Sequence, residues 1–228
     1  MAFQFQSVAA LSPFLIEGLA LTLVEVGLLI GLYLGPGIIV ATVGGTVASK
    51  FGDKLTVSVS LGLMLIGSLI VTYAPSVELV MAGRVVSGVG GVAINVVMTK
   101  MVIDWFAGRN ISMAMSLFVS SWPLGIALSL LILPSLAASG GLFAGWWGVT
   151  IATTVALSLF AFVYEPAPGA AKTSGSLKAI ELPWGVLIYA GLVWGLYNTA
   201  FAMMFGFGTL VLIGQGLSTT LASSAISV

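Results

Sequence analysis

Six apolar stretches, each about as long as the roughly 20 residues a helix needs to cross a bilayer, constrain this chain more than any other feature. They fall at 24–48, 55–74, 78–103, 112–137, 142–164 and 183–213, with breaks where charge, Gly, Pro and turn residues cluster. Only 6% of the 228 residues are Asp, Glu, Lys or Arg, and 59% are hydrophobic. Soluble domains carry about 25% charged residues, so this chain cannot cover a water-facing surface. The 29 glycines and 8 prolines spread through the apolar runs match membrane helices. The pattern predicts an all-α, multi-pass integral membrane protein whose first partner is the lipid bilayer.

Several functions are disfavoured at once. The chain has no Cys and no His, which removes the thiolate nucleophile, the disulfide and the commonest general base and metal ligand. No nucleophile–base pair or metal-ligand cluster is readable, so neither an enzyme nor a cofactor is expected. The formal net charge of zero gives no basic footprint for nucleic acid.

Residues 1–17 are apolar but too short to cross at about 1.5 Å of rise each. They lack the positive start of a signal peptide and read as the tail of a spanning helix. Residues 217–228 begin another apolar stretch. Lys50, Lys54, Lys100, Arg109, Lys172 and Lys178 all fall on one side if the spans alternate, and the opposite turns have no Lys or Arg. The basic side is therefore expected to be cytoplasmic, in a cell or inner membrane. The one long polar connection, rich in Pro, Gly and Ser, reads as a linker over 165–182. Phe14-Leu-Ile-Glu-Gly-Leu19 aligns with Leu212-Ile-Gly-Gln-Gly-Leu217 at an offset of 198, and Phe3 then meets Phe201. That repeat would make the helix at 183–213 the counterpart of the first, and the first helix incomplete.

Within the spans, Arg84 lies about 9 Å past Glu78 along a helix axis, inside the apolar zone. A guanidinium there costs several kcal/mol unless it faces a cavity or finds a partner, which marks it as a functional candidate. At 100° per residue Gly88, Gly91 and Asn95 share its face, so this stripe is expected to line a substrate path. Gly31 with Gly35, and Gly191 with Gly195, are Gly-x-x-x-Gly pairs expected to pack helices. Pro36 and Pro123 should bend their helices. Trp122 sits in mid-span, away from the interface where Trp anchors, and is a candidate for a cavity wall. Asp104 could pair with Arg109, Lys50 or Lys54, or remain a solvated charge.

The turn Gly44-Gly-Thr-Val-Ala-Ser-Lys-Phe-Gly-Asp-Lys54 resembles the signature loop of the major facilitator superfamily, Gly-x-x-x-Asp-Arg-x-Gly-Arg-Lys. Gly45, Lys50, Gly52 and Lys54 match it in position and character. Ser49 stands where the family has Asp, and Asp53 stands at a basic position. The segment from Glu78 through Arg84 to Gly91 resembles the family's fourth helix, with its intramembrane Arg followed by small residues. In the family an acidic group at this helix's inner end latches the loop, a role the resemblance gives to Asp104. Trp122-Pro-Leu-Gly125 is similar to cyanate- and nitrate-type members and unlike the drug/proton antiporters, and Arg84 would suit a small anion.

The resemblance implies twelve helices in two halves, with a substrate site near the midplane between them. This chain would then hold the end of helix 1, helices 2–7 and the start of helix 8. Residues 1–164 would form the N-terminal half with its first helix incomplete, 165–182 a cytoplasmic linker, and 183–228 the start of the C-terminal half. The implied function is that of a fragment of a secondary active transporter moving a small solute by alternating access, which needs the missing C-terminal helices. A non-transporting membrane subunit or an inactive truncated product is the alternative. Gln4, Gln6, Tyr197 and Asn198 would face the central cavity from the first and seventh helices.

Overall fold

The computed structural model describes residues 1–108, 110–166 and 183–227, with Gly45 and Leu187 as helical backbone only. Arg109, Lys172, Lys178 and most of the expected linker lie outside them. The described residues form α1 (Ala2–Leu19), α2 (Leu23–Leu34), α3 (Gly37–Phe51), α4 (Asp53–Thr72), α5 (Val77–Phe106), α6 (Ile111–Val163), α7 (Trp184–Gly214) and α8 (Thr219–Ser227).

Local chemistry sets the ends of these helices. Thr22 and Glu25 form a capping box, the Glu25 amide donating to Thr22 Oγ1 at 3.3 Å and the Thr22 amide to Glu25 Oε2 at 2.8 Å. This satisfies donors that a helix start leaves open. The expected span at 24–48 includes one apolar run long enough to cross, Leu23–Gly44, and Pro36, which offers no amide, interrupts its hydrogen-bond ladder between α2 and α3. Gly52 turns the chain into α4 with φ 83°, which a side chain would strain. The 53-residue α6 is two antiparallel crossings in one run: Gly140 leaves helical geometry and Gly141 takes φ 73°. Pro13 interrupts α1 without ending it, and the carbonyl of Ala9 that loses its amide partner accepts from Ser12 Oγ at 2.8 Å.

Packing is inverted relative to a soluble protein. Arg84 is 1% exposed and Gln4 4%, while Ile38 is 83% and Phe162 89% exposed. Polar groups line the middle of the bundle and aliphatic ones coat its outside, as a lipid solvent requires. Among the described residues, five helical runs are long and apolar enough to cross a membrane, counting α6 once and α2 with the start of α3 as one.

Association in lipid gains little from burial of apolar area and depends on close fit. The α4–α5 seam achieves this with glycine. A Cβ at Gly83 would lie 2.7 Å from Val71 and 2.8 Å from the Gly67 carbonyl, and one at Gly90 would lie 3.0 Å from Met64. Hydroxyls close the seam between α4 and the second half of α6, where Ser68 and Thr72 meet Thr150 at 2.7 and 3.1 Å. The expected packing pairs behave differently. Among the described residues, nothing within 4 Å would meet a Cβ at Gly31, Gly191 or Gly195, and Gly35 meets only its own helix, where α2 ends. The faces of α2 and α7 that carry them have no described helix against them. Gly83→Ala should therefore lower stability by about 1–3 kcal/mol through overpacking. Gly62→Ala, at a position with open space, should be neutral or slightly stabilising. Denaturant unfolding in detergent micelles separates the two.

Candidate functional site

The middle of the bundle is organised around α5. One and two turns beyond Arg84, Gly88 and Gly91 leave a bare strip on which Tyr33 of α2 lies. A Cβ at Gly88 would collide with the Tyr33 carbonyl, and one at Gly91 with the Tyr33 hydroxyl. The small residues of the stripe therefore admit an aromatic ring. That ring is placed under the guanidinium, with Arg84 Cζ 4.5 Å from its centroid, a cation–π contact worth about 2 kcal/mol when desolvated.

Arg84 gives its donors to neutral oxygens on two other helices. Nε donates to the Leu29 carbonyl of α2 at 3.1 Å. Nη1 donates to the Gln4 carbonyl at 2.9 Å and reaches Ser7 Oγ at 3.5 Å, and Nη2 donates to the Phe5 carbonyl at 3.0 Å, all on α1. Hydrogen bonds to a charged group are worth about 1.5–3 kcal/mol each, enough together to offset burial of the charge. Arg84 thus faces α1 and α2 in this structure and not an open cavity. None of its partners is a carboxylate, so its positive charge is solvated without being neutralised.

Gln4 links this cluster to the α4–α5 seam. Its Nε2 donates to the Met64 carbonyl at 3.0 Å and to Ser87 Oγ at 3.1 Å, and its Oε1 accepts from the Tyr33 hydroxyl at 3.3 Å. A void of about 10 Å³ remains among Gln4, Ser7, Ser68, Arg84, Ser87 and Trp146, about the size of one water. Trp122 is half-buried beside the cluster, its ring 5.7 Å from that of Phe5. Phe5 in turn lies 5.8 Å from Tyr33.

Gln6 points the other way from α1 and donates to the Phe205 carbonyl of α7 at 2.6 Å. The two residues are 199 apart in the chain, one more than the offset of the expected repeat. Asn95, Tyr197 and Asn198 lie apart from this cluster. All three are exposed, and Asn198 donates to the Trp194 carbonyl of its own helix.

A second polar centre closes the end of the bundle at the 50–54 turn. Lys100 Nζ sits 2.7 Å from Asp104 Oδ2 and 3.0 Å from Asp53 Oδ2, joining α5 to the start of α4. Asp104 takes Lys100, one turn away on its own helix, in place of Lys50 or Lys54. Ser49 donates to the Thr46 carbonyl of its own helix, and Lys50 Nζ lies 5.5 Å from the Phe51 ring centroid. Here α5 supplies the cation, Lys100, and the 50–54 turn supplies Asp53, whereas the resemblance gives the acidic group to Asp104 and basic residues to the turn.

Sequence reasoning passed over Tyr33, Ser7, Ser87 and Lys100 as site residues. The Lys100–Asp104 spacing of four was a readable signal for the second centre. Tyr33 carried a weaker one, a phenol within an apolar helix between two glycines.

The Major Facilitator Superfamily model matches residues 1–228. No curated protein matches the chain by sequence. Among solved structures, the crystal structure of a D-xylose-proton symporter superposes on 99% of this chain with a TM-score of 0.68 and 14% sequence identity. This chain covers 62% of that symporter's length, and a likeness at this identity is one of fold.

Arg84→Met should destabilise the bundle by about 2–5 kcal/mol, since it removes every donor at once. Arg84→Lys should recover less than half of that, because an ammonium cannot fork to two helices. Lys100→Gln, at a site 38% exposed, should cost no more than about 1 kcal/mol. Chemical unfolding in micelles, followed by circular dichroism, ranks the three.

Proposed function

The chain belongs to the Major Facilitator Superfamily and is an integral multi-pass membrane protein, and on that premise we propose that it carries a small anion across the bilayer as part of a secondary transporter. The observation that carries the anion reading is the uncompensated charge of Arg84. Its hydrogen-bond partners are neutral, so the centre of the bundle keeps a positive potential that a low-dielectric surrounding amplifies. The carboxylates of Glu78 and Asp104 lie toward opposite ends of α5, about 9 and 30 Å from Arg84 along the axis.

Transport in this reading is by alternating access between two groups of helices, 1–164 and 183–228, joined through 165–182. The Gln6–Phe205 hydrogen bond is the described polar link between α1 and α7, and a rocking motion would remake it. The Lys100 ion cluster would hold α4 and α5 together at the turn end, which the Lys bias places on the cytoplasmic side. The chain spans less than two thirds of the symporter's length. We therefore expect the working unit to include helices beyond those in this chain.

Uptake into proteoliposomes tests the proposal, using labelled nitrate, cyanate and D-xylose with the chain alone and with the remaining helices of the family fold supplied separately. Anion uptake should appear with the completed set and fall at least 100-fold in Arg84→Gln when compared per mole of folded protein. Uptake of D-xylose with none of the anions would replace the anion reading with a sugar one. No uptake of any solute by the completed set would favour a non-transporting subunit.

A further inference from the structure

The Gln6 amide takes from α7 an acceptor that α7 would otherwise use itself. Threonines in these helices turn back: Thr56, Thr72, Thr99, Thr153 and Thr199 each donate to the carbonyl four residues earlier, at 2.8–2.9 Å. For Thr209 of α7 that carbonyl belongs to Phe205. Among the described residues, Thr209 Oγ1 has no hydrogen-bond partner, and the residue is 1% exposed, out of reach of water.

A carbonyl oxygen has two lone pairs. Within α7 one of those on Phe205 serves the Thr209 amide, as the helix ladder requires. Gln6 Nε2 takes the other, at 2.6 Å. The Thr209 hydroxyl is thereby denied the kind of acceptor that the same helix gives Thr199. A buried, unserved hydroxyl disfavours the state that contains it by about 5- to 150-fold. The amide that displaces it comes from a different helix, and Gln6 is itself buried.

We propose that Gln6 and Thr209 exchange the Phe205 carbonyl, which makes the contact between α1 and α7 a two-position latch. With the helices together, the Gln6 amide holds the oxygen. When they part, Thr209 moves by one χ1 rotamer and takes it, while water entering the gap serves Gln6. An ordinary bond between helices leaves both partners unserved when it breaks in an apolar interior. Here α7 keeps its complement of bonds, so the linked and parted states lie close in free energy. The proposal rests on the reading that α1 and α7 move against one another, and its test needs no solute.

Because the chain has no Cys, Glu17→Cys and Gln215→Cys accept nitroxide spin labels without background. Both positions are exposed and lie 11 and 10 residues beyond the latch along α1 and α7. Double electron–electron resonance on the full chain in nanodiscs should show two separations, linked and parted. Thr209→Val should move their ratio toward the linked state at least about 5-fold. It removes the unserved hydroxyl of one state and the replacement donor of the other. Thr209→Ser, which keeps the hydroxyl, should keep the wild-type ratio. In the Gln6→Leu background the carbonyl is open to Thr209 in both states, so Thr209→Val should leave the ratio unchanged there. An equal shift in both backgrounds, or none with Gln6 in place, would overturn the exchange, as would a single separation in every variant. Uptake by the completed set reads transport separately, so a failed exchange leaves the transporter reading standing.

Discussion

A guanidinium buried among helices, with neutral oxygens for partners, is the constraint around which this bundle is arranged. Arg84 cannot stay in the apolar interior without its donors met, and α5 alone has no free acceptors to offer. The carbonyls of Gln4, Phe5 and Leu29 supply them from α1 and α2. Three helices distant in sequence are thereby fixed in rotation and depth. The Tyr33 ring beneath the guanidinium, and the glycines that admit the ring, follow from the same requirement.

Gln4 extends that constraint to a fourth helix, because its amide reaches the Met64 carbonyl of α4. The α4–α5 seam then closes on Gly67, Gly83 and Gly90, where backbones approach too closely for side chains. Polar bonds set which helices meet and in what register, and glycine contacts set how near they come. In lipid both are needed, since apolar burial discriminates poorly between one neighbour and another. Function inherits this arrangement. The charge that organises the bundle is also the one that would attract an anion, so a solute competing for its donors would act on α1, α2 and α5 together.

Much of the fold was legible in the chain. Hydropathy placed the crossings to within a few residues, and the Gly140–Gly141 break fell where turn residues suggested it. Pro36 is legible as an interruption of the first full span, because a missing amide weakens a helix at a known position, and the backbone stays right-handed helical through Gly35 and Pro36. The candidate site was legible as a face of α5 and no further. Gly88 and Gly91 shared that face with Arg84, yet Gly31, Gly191 and Gly195, equally suggestive in spacing, stand where no described helix approaches.

By itself the sequence determined the solvent, the helix count and the depth of the buried charge, because these depend on local composition and on a fixed rise per residue. It also determined the Gly52 turn, since a positive φ there is a local backbone property. Only the tertiary structure decided where the donors of Arg84 go and that Asp53 and Asp104 share Lys100. Helical periodicity says which residues share a face, but it carries no information on which helix that face will meet. That choice is made by fit and by hydrogen bonding between segments 47 to 80 residues apart.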